Sequence, residues 1–180
     1  MLLTVATLIP RKAHDVLIRA LARVADLPWQ ARWVGGDHFD PAWSQQIRRQ
    51  SETSGLGQRI HFAGSVADLS AEYRQADLFV LPSRFEGYGM VFAEALSFGL
   101  PIVAAHAGAV PDVVPADAGI LVPVDDDQAL AAALRDLLTD PSRHQHLRLG
   151  AQRAALLLPD WPDTAHRVHQ LLQHLLESRS

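Results

Sequence analysis

Asp77-Leu78-Phe79-Val80-Leu81-Pro82-Ser83-Arg84-Phe85-Glu86-Gly87-Tyr88-Gly89-Met90-Val91-Phe92-Ala93-Glu94-Ala95-Leu96 is the stretch that decides the fold. It opens with an unbroken apolar run closed by proline, the pattern of a strand buried on both faces. It ends with Val91, Phe92, Ala95 and Leu96 spaced as one face of a helix. Between these lie two glycines, so the stretch predicts strand, glycine turn and helix. Glu86 then falls in the loop at the strand's carboxyl end, and Glu94 about one turn inside the helix. A parallel sheet usually keeps its ligand at that end.

The same alternation runs outward in both directions. Residues 2 to 8 read as a strand, and 13 to 25 as a helix with Val16, Leu17, Ala20, Leu21 and Val24 on one face. Ala31 to Val34 closes on Gly35-Gly36, residues 41 to 54 are polar and helical, and Arg59 to Phe62 closes on Gly64. A small helix follows over 69 to 76. Beyond the glutamate turn come a buried strand at Pro101 to Ala105 and a last short one at Ala118 to Val122. Helices near 127 to 138, 141 to 157 and 162 to 177 end the chain. This order predicts an α/β fold: a Rossmann-like, doubly wound, mainly parallel sheet with helices on both faces.

A chain of 180 residues, 48% apolar and with a formal charge of −4, suits one soluble domain. It has no basic field for nucleic acid or an anionic membrane, so a phosphate-bearing ligand must be held by amides and a few placed cations. Cysteine is absent, which excludes disulfides and thiolate metal sites and leaves cytosol and periplasm equally open. The start meets Pro10 too early for a signal peptide, and no apolar run approaches the roughly 20 residues that span a bilayer.

In the turn, a helix starting near Gly89 leaves amide donors open, and glycine lets phosphates approach the backbone. Glu94 suits the paired hydroxyls of a ribose, and Glu86 a sugar hydroxyl or a developing positive charge. By itself the pair fits equally well an ordinary helix start, where acidic residues are common. Histidines offer a rival site: His166 and His169 lie one turn apart, with His174, His144 and His146 in the same part of the chain. Without a carboxylate or cysteine at ligand spacing, they read mainly as a solvated helix face. Trp161 reads as a core anchor or a contact for a further domain.

The stretch resembles the glutamate pair of the retaining glycosyltransferases of family four, which have the GT-B fold of two facing Rossmann-like domains. The likeness extends in order over about residues 5 to 140. It takes in Thr7 to Leu17, Val34-Gly35-Gly36, Ile60 to Val66, Ala76 to Ser83, Gly99 to Ala104, Ala107 to Val114 and Ala118 to Val122.

The resemblance implies the carboxyl-terminal, donor-binding domain of such an enzyme, occupying residues 1 to 180 with final helices over about 141 to 178. The amino-terminal acceptor domain would be absent or supplied by a partner chain, and any peripheral membrane association would come through that half. The donor would be a nucleoside diphosphate sugar, with no tightly bound cofactor and no metal, and the location cytoplasmic. Lys12 would contact the diphosphate, Val66 would offer backbone groups to the base, Glu94 would hold the ribose, and Glu86 would sit by the transferred hexose. Backbone amides around Gly87, Tyr88, Gly89 and Met90 would touch sugar and phosphate. On this reading Glu86 and Lys12 are the catalytic pair.

Three positions depart from the family pattern: Thr7 stands where arginine is usual, Ala13 where glycine is usual, and Asp112 where glutamate is usual. The alternatives are a nucleotide-sugar-binding module that needs another polypeptide for turnover and, ranked lower, a nucleotide-sugar epimerase or a phosphorylase.

Overall fold

The computed structural model describes residues 1–158. Six strands form one sheet in the order β3-β2-β1-β4-β5-β6. They are β1 (Leu2–Val5), β2 (Ala31–Val34), β3 (Ile60–Gly64), β4 (Leu78–Leu81), β5 (Ile102–Ala105) and β6 (Gly119–Val122). Every neighbouring pair is parallel, so the sheet is wholly rather than mainly parallel.

The connecting helices are α1 (His14–Arg23), α2 (Pro41–Thr53), α3 (Ser70–Gln75), α4 (Met90–Ser97), α5 (Val110–Val113), α6 (Asp127–Thr139) and α7 (Pro141–Ala155). A 3-10 turn at Pro10–Lys12 precedes α1. The sequence pattern gave each of these except α5, whose four residues are too few to show a period. The final helix expected at 162 to 177, with Trp161, His166, His169 and His174, lies outside the described residues.

Alternate strand residues build two cores. Leu2, Leu78, Val80 and Val103 pack against α1, α2 and α6. Leu3, Phe79, Leu81, Ile102 and Ala104 pack against α3, α4, α5 and Ala151 of α7. Each fully buried leucine or isoleucine contributes roughly 1.5–3 kcal/mol relative to exposure. The starts of α6 and α7 are set by short acidic side chains: Asp126 accepts from Gln128 and Ala129 amides, and Asp140 from those of Ser142 and Arg143.

His14, the first residue of α1, is buried, and neither ring nitrogen has a hydrogen-bond partner. Its ring lies 5.0 Å from that of Trp33. Burial, against a smaller opposing pull from Asp15, pushes its pKa down to about 3. The unfolded chain therefore takes up a proton near pH 6.5 that the native state refuses. Stability is lost as pH falls from 6.5 toward 3, by about 2 kcal/mol at pH 5 from this residue. Urea denaturation at pH 7 and pH 5 checks this: the difference should shrink by that amount in His14→Phe, and an unchanged difference would contradict it.

Candidate active site

β1 and β4 are neighbours in the sheet, yet their following helices lie on opposite faces. The loops after them diverge and leave a crevice at this switch point. The β1 loop stays tied to β2, with the Ala6 amide donating to Val34 O at 2.8 Å and that of Leu8 to Gly36 O at 2.9 Å. It then tightens into the Pro10–Lys12 turn and leaves through Ala13 at φ 55°. That left-handed conformation costs a non-glycine residue about 1 kcal/mol and explains why glycine suits the position. Here alanine bears the strain.

The turn presents Lys12 to the β4 loop. Its Nζ donates to Glu86 Oε1 at 2.6 Å, and Ser83 Oγ donates to the same oxygen at 2.6 Å. Arg11 Nη1 stands 3.8 Å from Glu86 Oε2. Glu86 is only 5% exposed. It does not cap α4, which begins at Gly89 (φ 77°) with no side-chain cap. The reading of Glu86 as a mere helix opener is thereby replaced by that of a buried carboxylate held by a cation and a hydroxyl. Of the first-turn amides of α4, that of Phe92 donates to Gly89 O at 2.8 Å, and those before it have no intrahelical partner.

Glu94, the fifth residue of α4, is half-buried, and its Oε2 accepts from the Tyr73 hydroxyl at 2.7 Å. Tyr73 is buried under Phe98, stacked at 5.2 Å. Burial first, and the Glu94 hydrogen bond after it, push the Tyr73 phenol well above its ordinary range. Tyr73 is thus a fixed donor, and Glu94 is oriented rather than loosely displayed.

Thr7, Lys12, Gly35, Ser65, Val66 and Val91 line a cavity of about 290 Å³ in the crevice. Lys12 and Val66 therefore share one space, and Val91 lies one turn before Glu94 on the same helix. Thr7 brings no charge, so Lys12 is the one cation lining this cavity among the described residues. Arg11 is not among the residues lining it, and its Nη1 donates to Phe85 O at 3.0 Å. Gly87, Tyr88, Gly89 and Met90 do not line this cavity: Tyr88 lines a separate hollow of about 280 Å³ with Pro111, Asp112 and Val113, and Tyr88 and Met90 are 51% and 66% exposed.

A larger hollow of about 720 Å³ lies at the opposite ends of the strands, around Pro28, Trp29 and Arg59. Arg59 is engaged there by the carbonyls of Ala25, Leu27 and Trp29 and covers the Trp29 ring at 3.7 Å. His144 Nε2 lies 2.9 Å from Asp77 O. Among the described residues no three histidine or acidic side chains are grouped to hold a metal ion. The strand–turn–helix pattern pointed to Glu86 and Glu94, and the family resemblance to Lys12 and Val66, but both missed Ser83 and Tyr73. Ser83 stood in the deciding stretch; Tyr73 gave no signal, being 21 positions from its partner.

Comparison with known proteins decides the family. Residues 1–140 match the family model described as Glycosyl transferases group 1. The chain belongs to this family. Among its relatives, the group 1 domain is 31% identical to the GDP-mannose-dependent alpha-(1-6)-phosphatidylinositol monomannoside mannosyltransferase of Mycolicibacterium smegmatis, aligning 96% of this chain with 47% of that one. Sucrose-phosphate synthase from Thermosynechococcus elongatus is 29% identical with a TM-score of 0.86, over 98% of this chain and 46% of that structure. Anabaena Alr3699/HepE in complex with UDP-glucose is 27% identical with a TM-score of 0.87, over 96% and 48%. The group 1 domain thus spans less than half the length of each of these relatives, and its Rossmann-like sheet matches one half of their GT-B architecture.

Proposed function

We propose that this chain is the donor-binding domain of a retaining glycosyltransferase that moves a hexosyl group from a nucleoside diphosphate sugar to an acceptor. The observation that carries the reading is the Lys12–Glu86 contact at the switch point, opening onto a crevice shared with Val66. A 290 Å³ space suits the nucleoside, with Val66 beside the base and Glu94 at the ribose hydroxyls. The diphosphate lies between Lys12 and the open amides at the start of α4, which stabilise the negative charge that grows as the sugar leaves. Glu86 faces the hexose and is not assigned as a covalent nucleophile. Such donors place the reaction in the cytoplasm. Among the described residues no helix is long and apolar enough to cross a membrane.

The names of relatives divide over the donor, GDP-mannose in one and UDP-glucose in another, so the test uses both. Calorimetry with uridine and guanosine diphosphates and their sugars should find Glu94→Ala weakened roughly 10-fold or more for nucleotide and nucleotide sugar alike, a lost charged hydrogen bond being worth about 1.5–3 kcal/mol. Glu86→Ala should spare the free nucleotide and weaken only the nucleotide sugar. Equal losses for both ligands in both variants, or no binding by the native chain, would sink the assignment.

A second reading has its own support. Phe85, Tyr88 and Met90 stand exposed in the segment that carries Glu86, and the chain spans less than half the length of the curated relatives it matches. The domain would then hold the nucleotide sugar while a further half, in this polypeptide or another, brings the acceptor. Turnover restored by adding such a half would distinguish this reading from activity of the domain alone.

A further inference from the structure

The Lys12–Glu86 contact is the last rung of a short ladder between the β1 and β4 loops. Before it, the Arg84 amide donates to Arg11 O at 2.8 Å, and Arg11 Nη1 donates to Phe85 O at 3.0 Å. The Arg84 side chain reaches further along the same loop. Its Nη1 donates to Pro10 O and, at 3.1 Å, to Asp15 Oδ1; its Nη2 donates to Asp15 Oδ2 at 2.9 Å. Nε lies 2.7 Å from Asp125 Oδ1, in the loop after β6.

We propose that Arg84 is a positioning residue for Lys12, pinning Pro10, Arg11 and Asp15 to the β4 loop so that the lysine amine meets the donor's diphosphate. The inference rests on the donor-binding reading above. Three of the five N–H groups of the guanidinium donate hydrogen bonds and Nε is ion-paired with Asp125, so Arg84 acts through its neighbours rather than on the ligand. The bidentate Asp15 pair fixes direction as well as distance, which a lysine's point charge would not. Asp15 sits in the first turn of α1, two residues after the strained Ala13. Burial would raise its carboxyl, but hydrogen bonds and charge from Arg84 and Arg19 outweigh this and hold it below the usual range. The pair stays ionised wherever the site works. Lys12 itself lies on a turn of three residues with no buried side chain, so the turn relies on these outside contacts for its place. A displacement of about 1 Å at a charged contact is enough to lower its effect severalfold.

The test compares affinities for a nucleoside diphosphate and its monophosphate, using whichever of the uridine and guanosine pairs the native chain binds more tightly. The ratio reports the hold on the second phosphate. Arg84→Gln should lower that ratio about 10-fold, Asp15→Asn should lower it in the same direction, and in a Lys12→Ala background Arg84→Gln should change it no further. Thermal melting establishes that each variant is folded, and Asp15→Asn decides the matter should Arg84→Gln fail to fold. An unchanged ratio in the folded variant, or an equal drop with and without Lys12, overturns the proposal alone. An unchanged ratio in Lys12→Ala overturns the donor-binding reading and this one together.

Discussion

Gly108→Ala is expected to cost about 3 kcal/mol or more of stability and to drag Glu86 out of place. Gly108 follows β5 with φ 55°, and a Cβ there would sit 2.0 Å from Glu86 O and 3.1 Å from Glu86 N. Both are backbone atoms, so no side-chain rotation relieves the contact. The Glu86 carbonyl also accepts from the Ala109 amide at 3.1 Å, which ties the two loops together where the methyl would have to enter. A left-handed alanine adds about 1 kcal/mol to overpacking that typically costs 1–3 kcal/mol. Gly87→Ala is the control, because nothing lies within 4 Å of a Cβ at that position. Denaturation midpoints should separate the two variants widely, and nucleotide-sugar affinity should fall in Gly108→Ala. If Gly108→Ala stays within about 0.5 kcal/mol of the native chain, the loops are looser than the geometry states.

Lys12→Ala should act on stability and on binding at once. The lysine and Glu86 side chains are 14% and 6% exposed. Removing one partner leaves a nearly buried charge with less compensation, a change that costs 3–5 kcal/mol in fully buried pairs. Ser83 and Arg11 remain beside Glu86, so the expected loss is about 2–3 kcal/mol. The double variant Lys12→Ala with Glu86→Gln should recover much of it, because a neutral amide needs no cation and Ser83 can still donate to it. Diphosphate affinity should fall roughly 10- to 100-fold in both, the range of a lost charged hydrogen bond. Urea titrations beside calorimetry check the pair. A stability loss under about 0.5 kcal/mol would mean that the contact is no stronger than a surface ion pair.

Much of the fold lay open in the chain because buried parallel strands are short apolar runs that glycine ends. Leu78 to Leu81 and Ile102 to Ala105 are continuous and wholly buried, so pattern alone was enough. Residues 2 to 8 were less transparent. Leu8 is as buried as a strand residue, but the ladder of β1 ends at Val5 and the chain turns at the carboxyl end of the sheet. Apolarity reports burial and not pairing.

At the site, residue type named the partners but not their contact. Lys12 and Glu86 are 74 positions apart, and no local periodicity connects them. Arg84 gave still less, since an arginine before a turn is ordinarily a solvated side chain. Its several bonds exist only because β1 and β4 are adjacent.

That adjacency has a kinetic side. Leu2 pairs with Ala31 and with Leu78, whereas Ala31 pairs with Ile60, Phe79 with Ile102 and Ile102 with Gly119. The β1–β4 seam thus closes the longest loop of any ladder in the sheet, at an added entropic cost of somewhat under 1 kcal/mol over its neighbours. The two halves, β1 to β3 and β4 to β6, are each stitched by shorter connections and can take shape before they meet. On this ground the crevice is expected to assemble last in folding and to open first, and a nucleotide bound across it would act as a clasp between two halves of one molecule.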